Sequence, residues 1–141
     1  MPESLALSRF DQLAVGQTAQ AAKTITEADI LLYSAVSTDI NPTHLDADYA
    51  ASGPFGGRVA HGMLSAGLIS AVIGNKLPGP GTIYMSQNLK FCHPVRIGDT
   101  VTARVEVKSL DPARRRATLR TQCFVRSLIV IEGEALVLVP G

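Results

Sequence analysis

The sequence carries no excess of charge of either sign. Thirteen Lys and Arg face twelve Asp and Glu, a formal net charge of +1, which leaves no electrostatic footprint for nucleic acid or a membrane surface. Cysteine is nearly missing: Cys92 and Cys123 are the only two in 141 residues. They could pair in principle, but so few thiols in a chain this size are expected to stay reduced and packed. No uninterrupted apolar run reaches membrane-spanning length, and no charged-then-apolar leader opens the chain. The cytoplasm is the expected compartment. No internal repeat is present.

What is present suffices for one folded unit. At 141 residues and 46% hydrophobic content, a single domain over 1–141 with a real core is expected, not two domains and not a disordered chain. An extended piece over about 17–24 leads into a first helix. Thr26 is its N-cap, with Asp29 as a short capping-box acid and Ile25 and Ile30 placed for a hydrophobic staple. The helix should run out near Ser37, because Pro42 disfavours helical geometry at Asn41. Pro42 can itself open a short helical turn through 47–50. After a Gly- and Pro-rich loop over 52–57, residues 61–76 read as a helix that is apolar almost all round (Met63, Leu64, Leu68, Ile69, Val72, Ile73), hence a buried one. Its small residues, among them Gly62, Ala66, Gly67 and Ser70, let a sheet close around it.

The last sixty residues read as strands. Residues 82–92 set Ile83, Met85, Leu89 and Phe91 on one face, and 100–108 do the same with Val101, Ala103, Val105 and Val107. Residues 117–125 turn Ala117, Leu119, Cys123 and Val125 inward, and 128–139 form a largely apolar last strand. Period-two alternation marks an antiparallel sheet packed on one side. A curved sheet wrapped around one long helix that precedes four consecutive strands is the α+β arrangement known as the hotdog fold.

The chemistry concentrates in Ser37–His44, which holds a carboxylate, an amide, a rigid turn and an imidazole. Asp39 alone could be turn chemistry, since Asx side chains satisfy nearby amides. Asp39 and His44 together, five apart across a proline-stiffened turn, can converge on one water as an acid/base pair. Asn41 suits support of the turn better than contact with a substrate. Asp46 and Asp48 suit an exposed helix start. A metal reading would gather Asp39, His44, Asp46 and His61, but no recognised ligand spacing is present.

His61-Gly62 opens the apolar helix. Helix-start amides lack internal partners and sit at the positive end of the dipole, so the Gly62 N–H is a candidate oxyanion donor. Close packing is the alternative reason for a glycine there. The His61 side chain itself reads as structural. Ser70, eight residues on, is a candidate helper to the water, although a lone serine in an apolar helix commonly bonds back to the preceding turn. His93 reads as inert and Arg114–Arg116 as a solvated turn, with a weak alternative of binding ligand phosphates.

Asp39-Ile40-Asn41-Pro42-Thr43-His44 followed by Gly57-Arg58-Val59-Ala60-His61-Gly62-Met63-Leu64 resembles the MaoC-like dehydratase family. The similarity runs over nearly the whole chain, through Gly81–Tyr84, Phe91–Val95 and Gly133–Ala135, and is strongest to single-hotdog (R)-specific enoyl-CoA hydratases of the kind that feed polyhydroxyalkanoate synthesis. His93 departs from the pattern, in which a lysine or another residue often precedes the proline. The resemblance implies that Asp39 and His44 position and activate water, that Gly62 N–H contacts the thioester oxygen, that Ser70 supports the site, and that the protein is a homodimer.

The implied reaction is reversible hydration of a trans-2-enoyl thioester, with CoA or acyl carrier protein as the handle and no metal or redox cofactor required. A 3-hydroxyacyl-[acyl-carrier-protein] dehydratase would favour a basic rim, for which only Arg58, Lys90 and residues 114–116 are available. A hotdog thioesterase often carries an acid on the central helix, and 61–76 holds neither Asp nor Glu. A silent acyl-binding module would not need both motifs intact.

Overall fold

The computed structural model describes residues 9–140. A short 3-10 turn at Phe10–Gln12 and strand β1 (Thr18–Thr24) lead to α1 (Glu27–Ser37). Thr26 accepts from the Asp29 N–H at 3.1 Å and Asp29 accepts from the Thr26 N–H at 2.9 Å, the full capping box, a device worth about 1 kcal/mol. Ile25 and Ile30 are buried on either side of it. Pro42 opens α2 (Pro42–Leu45), and Asp46 then caps a separate α3 (Ala47–Ala51) by accepting from the Asp48 and Tyr49 amides. The one turn expected after Pro42 is therefore two, divided at Asp46.

Helix α4 (Gly62–Asn75) is the long helix, followed by β2 (Ile83–Gln87), β3 (Lys90–Phe91), β4 (Thr100–Asp111), β5 (Arg116–Val125) and β6 (Leu128–Leu138). One antiparallel sheet runs β1-β4-β5-β6-β2, with β3 also paired to β6. It wraps α4 in the hotdog arrangement. Ala66, Ile69, Val72 and Ile73 of α4 meet Val101, Ala103, Val105 and Val107 of β4 and Ala117, Leu119 and Cys123 of β5 in one core. Each large apolar side chain buried there stabilises the fold by about 1.5–3 kcal/mol. Both cysteines are free thiols, and burial pushes Cys123 up to about 12. Among the described residues no helix is long and apolar enough to cross a membrane.

Two expectations are corrected. Residues 82–92 do not form one half-buried strand. The chain breaks between β2 and β3 where Asn88 crosses Gly133, and a side chain at 133 would overlap the Asn88 carbonyl. Of the supposed inner face only Leu89 packs against the core, while Ile83, Met85 and Phe91 are exposed at 49%, 43% and 51%. Helix α4 is likewise not buried all round: Met63, Gly67, Ser70 and Ala71 form an exposed stripe. The sheet covers only the side of the helix that faces it.

Candidate active site

The exit from α1 is built to hold Asp39. Thr38 ends the helix at φ 65°, a left-handed backbone that a β-branched residue adopts only when its surroundings impose it. The Asp39 N–H donates to Ser37 Oγ at 3.1 Å, the Asn41 N–H to Asp39 Oδ1 at 3.3 Å, and the Thr43 N–H to Asn41 Oδ1 at 3.0 Å. This relay of side chain to backbone bonds carries the chain from α1 into α2. Asn41 caps α2.

His44 leaves α2 half-buried, and its Nδ1 lies 2.8 Å from the Val59 carbonyl. A carbonyl only accepts, so Nδ1 carries the hydrogen and Nε2 keeps its lone pair. The segment is clamped from the other side. Arg58 Nε donates to the His44 carbonyl at 2.7 Å, and its guanidinium pairs with Glu27 at the start of α1 at 2.9 Å. Arg96 holds the same approach segment by donating to the Phe55 carbonyl.

His61, the N-cap of α4, is 2% exposed. Its Nε2 lies 3.1 Å from both the Asp39 carbonyl and Ser34 Oγ. The carbonyl again fixes the hydrogen on that nitrogen. The ring stacks on His44 at 3.9 Å between centroids and lies 4.6 Å from Tyr33. Burial lowers its pKa and the nearby His44 adds to this, while the bond to the Asp39 carbonyl and the Asp39 charge oppose it.

These groups meet at a cavity of about 430 Å³. Asp39, His44, His61 and Gly62 line it together with apolar Val59, Val95, Phe91 and Ile131. A ligand atom from each of Asp39, His44 and His61 lies within 4.8 Å of the others, a set that could also gather around a cation. Asp46 is not among them, being occupied in capping α3. Gly62 stands at the first turn of α4, and a Cβ there would lie 2.6 Å from Phe91 Cε1. Close packing is thus one reason for the glycine.

Ser70 is not brought to this cavity. Eight residues from Gly62 leave a rotation of about 80° around the helix, and Ser70 falls on the exposed stripe. The serine at the cavity is Ser65, fully buried with no partner for its hydroxyl. His93, read as inert, lines the cavity as well, whereas residues 114–116 do not. Sequence reading also passed over Ser34. Its signal was weak, a small polar residue among the apolar positions of α1.

A MaoC like domain model matches residues 11–127. The chain is 55% identical over 139 residues to an (R)-specific enoyl-CoA hydratase of Rhodospirillum rubrum, covering 99% of this chain and 96% of that one. It is 50% identical to a 3-hydroxybutyryl-CoA dehydratase of Methylorubrum extorquens, covering 99% and 88%. Among solved structures it is similar to the (R)-hydratase from A. caviae involved in PHA biosynthesis, with a TM-score of 0.88 at 43% identity, covering 92% of this chain and 98% of that one.

Proposed function

The chain belongs to the MaoC-like dehydratase family, and from its cavity we infer that it is an (R)-specific enoyl-CoA hydratase. It adds water reversibly to a trans-2-enoyl-CoA, giving the (R)-3-hydroxyacyl-CoA, and is thus a carbon–oxygen lyase. The observation that carries this reading is the convergence of Asp39, His44 and the start of α4 on one cavity with apolar walls.

The roles follow from the free atoms. Gly62 N–H, at the positive end of α4, bonds the thioester oxygen and draws charge away from C3. Asp39 and His44 hold the water on one face of the double bond. As the water oxygen bonds to C3, its proton passes to one of the pair. The π electrons move onto the thioester as an enolate, which then takes a proton at C2 from the same pair. Both side chains end as they began. With Nδ1 bound to Val59, His44 offers Nε2 to this exchange. Apolar Val59, Val95 and Ile131 suit the acyl chain.

CoA is preferred to acyl carrier protein as the handle because the relatives named for CoA substrates are 55% and 50% identical, against 37% and 34% for those named for acyl carrier protein. A thioesterase is disfavoured, since α4 carries no acid. The exposed Ile83, Met85 and Phe91 lie on the edge strands β2 and β3. An apolar edge invites pairing with a second chain, so the working form is a homodimer joined there, and Ser70 on the uncovered face of α4 would serve only within such an assembly. The cytoplasm, where free acyl-CoA is met, is the compartment this reading expects.

The test is loss of the conjugated enoyl-thioester absorbance with crotonyl-CoA, followed by chiral analysis. Formation of (R)-3-hydroxybutyryl-CoA supports the reading. Release of free CoA instead would replace it with thioester hydrolysis, and no turnover of short or long enoyl-CoA would remove it.

A further inference from the structure

His61 takes no part in the roles just assigned, yet its ring is the most heavily engaged at the site. Nε2 meets the Asp39 carbonyl and Ser34, and the ring face meets His44. Nδ1 is buried without a partner, as is Ser65 Oγ one helical turn later, and both residues line the cavity. Native proteins leave few buried polar atoms unpaired, and each one retained calls for an explanation. Both atoms are closed off from solvent, so they lie behind the cavity surface and leave the other contacts of the His61 ring to explain its place there.

We propose that His61 is a positioning residue for this reaction: an Nε2–H imidazole that ties the Asp39 backbone to the start of α4 and supports the His44 ring. The proposal rests on the hydratase reading for its kinetic consequences and on geometry alone for the tautomer. Two imidazoles at 3.9 Å cannot both be cationic cheaply. Tyr33 from α1, Asp39 from the exit turn and His44 from α2 face the His61 ring, while Cys92 and His93 line the same cavity. Burial disfavours a charge on His61, so the proton exchange is left to the pair Asp39 and His44. His61 then fixes geometry without adding an ionisation of its own to the rate profile.

The chain has three histidines, so ¹⁵N spectra of the whole protein resolve each ring. His61 should keep the Nε2–H tautomer between about pH 6 and 8, and a cationic His61 in that range overturns the proposal. This measurement needs no turnover, so it separates failure of the proposal from failure of the hydratase reading. In kinetics, His61→Phe keeps a ring against His44 but loses the donor. It should lower kcat about 100-fold with KM changed only a few-fold, the scale of a small misplacement. His61→Gln returns an N–H and should recover at least about tenfold, with the wild-type number of ionisations in its pH profile. A fully active Phe variant overturns the proposal. So does a Gln variant that is equally impaired or has lost an ionisation, because the imidazole would then be transferring protons itself.

Discussion

The imidazole of His44 lies 3.9 Å from that of His61, with the two planes inclined by 31°. One ring is half-buried and keeps a free Nε2; the other is almost wholly enclosed, with its Nε2 bound to the Asp39 carbonyl. In the proposed mechanism the pair divides two tasks that a single histidine could not perform at once, exchanging a proton and holding the frame that aligns the exchange.

The first prediction concerns the exchanging pair. Asp39→Asn and His44→Gln should each lower kcat by about 100- to 10,000-fold, the span of general acid–base catalysis. Far-ultraviolet circular dichroism should remain that of the wild type. The double variant should fall little below the worse single one, because groups acting on one water are not additive. Folded variants with unchanged turnover would remove the pair from the mechanism.

Stability should depend on pH through His61. Its folded pKa lies below the ordinary 6.5, chiefly because of burial. The unfolded chain therefore binds a proton that the native state refuses. The stabilisation is complete above the unfolded value and declines as pH falls from there towards the folded one, by at most about 1.4 kcal/mol per pH unit. Urea midpoints taken between about pH 5 and 7.5 should show this slope in the wild type and a shallower one in His61→Gln. Equal slopes would assign the acid sensitivity to other groups.

How much of this was legible depends on how local the signal is. The start of α1 was fully readable, since Thr26, Asp29, Ile25 and Ile30 interact within six residues. Asp39 and His44 were readable because the turn joining them is short and rigid. The burial of β2 and β3 was not. The alternation of Ile83, Met85 and Phe91 reports that a face is to be covered, but not whether its own chain does the covering. The work of His61 was hidden for a related reason. Ser34 and the Asp39 carbonyl reach it from 27 and 22 residues away, and only the packing of α1 against the start of α4 brings them together. Ser70 reads as sharing the face of Gly62 because eight residues come close to two helical turns, yet they leave it about 80° away.

Arg58 offers a test of indirect positioning. It donates to the His44 carbonyl and is held by Glu27, so Arg58→Met should loosen α2 and lower kcat about tenfold, with a smaller change in KM. Glu27→Gln should do less. Its carboxylate is half-exposed, and exposed ion pairs contribute about 0–1 kcal/mol. Equal and large losses in both would mean that the ion pair, and not the bond to His44, carries the effect.

Gly62 has two possible reasons to be glycine, and a double-mutant cycle with Phe91 separates them. A methyl group at 62 would stand 2.6 Å from Phe91 Cε1, so Gly62→Ala must displace a ring that is half-exposed. If packing is the only reason, Phe91→Ala should restore Gly62→Ala to the activity of Phe91→Ala alone. If the glycine instead lets the thioester oxygen approach the helix-start amide, the methyl group still obstructs it when the ring is gone. The double variant should then stay about 10- to 100-fold below Phe91→Ala in kcat, part of the range lost with one oxyanion donor. Because Phe91 lies on the edge proposed to join two chains, oligomeric state should be measured on the same samples. A deficit that persists in samples of unchanged assembly assigns the glycine to the oxyanion contact.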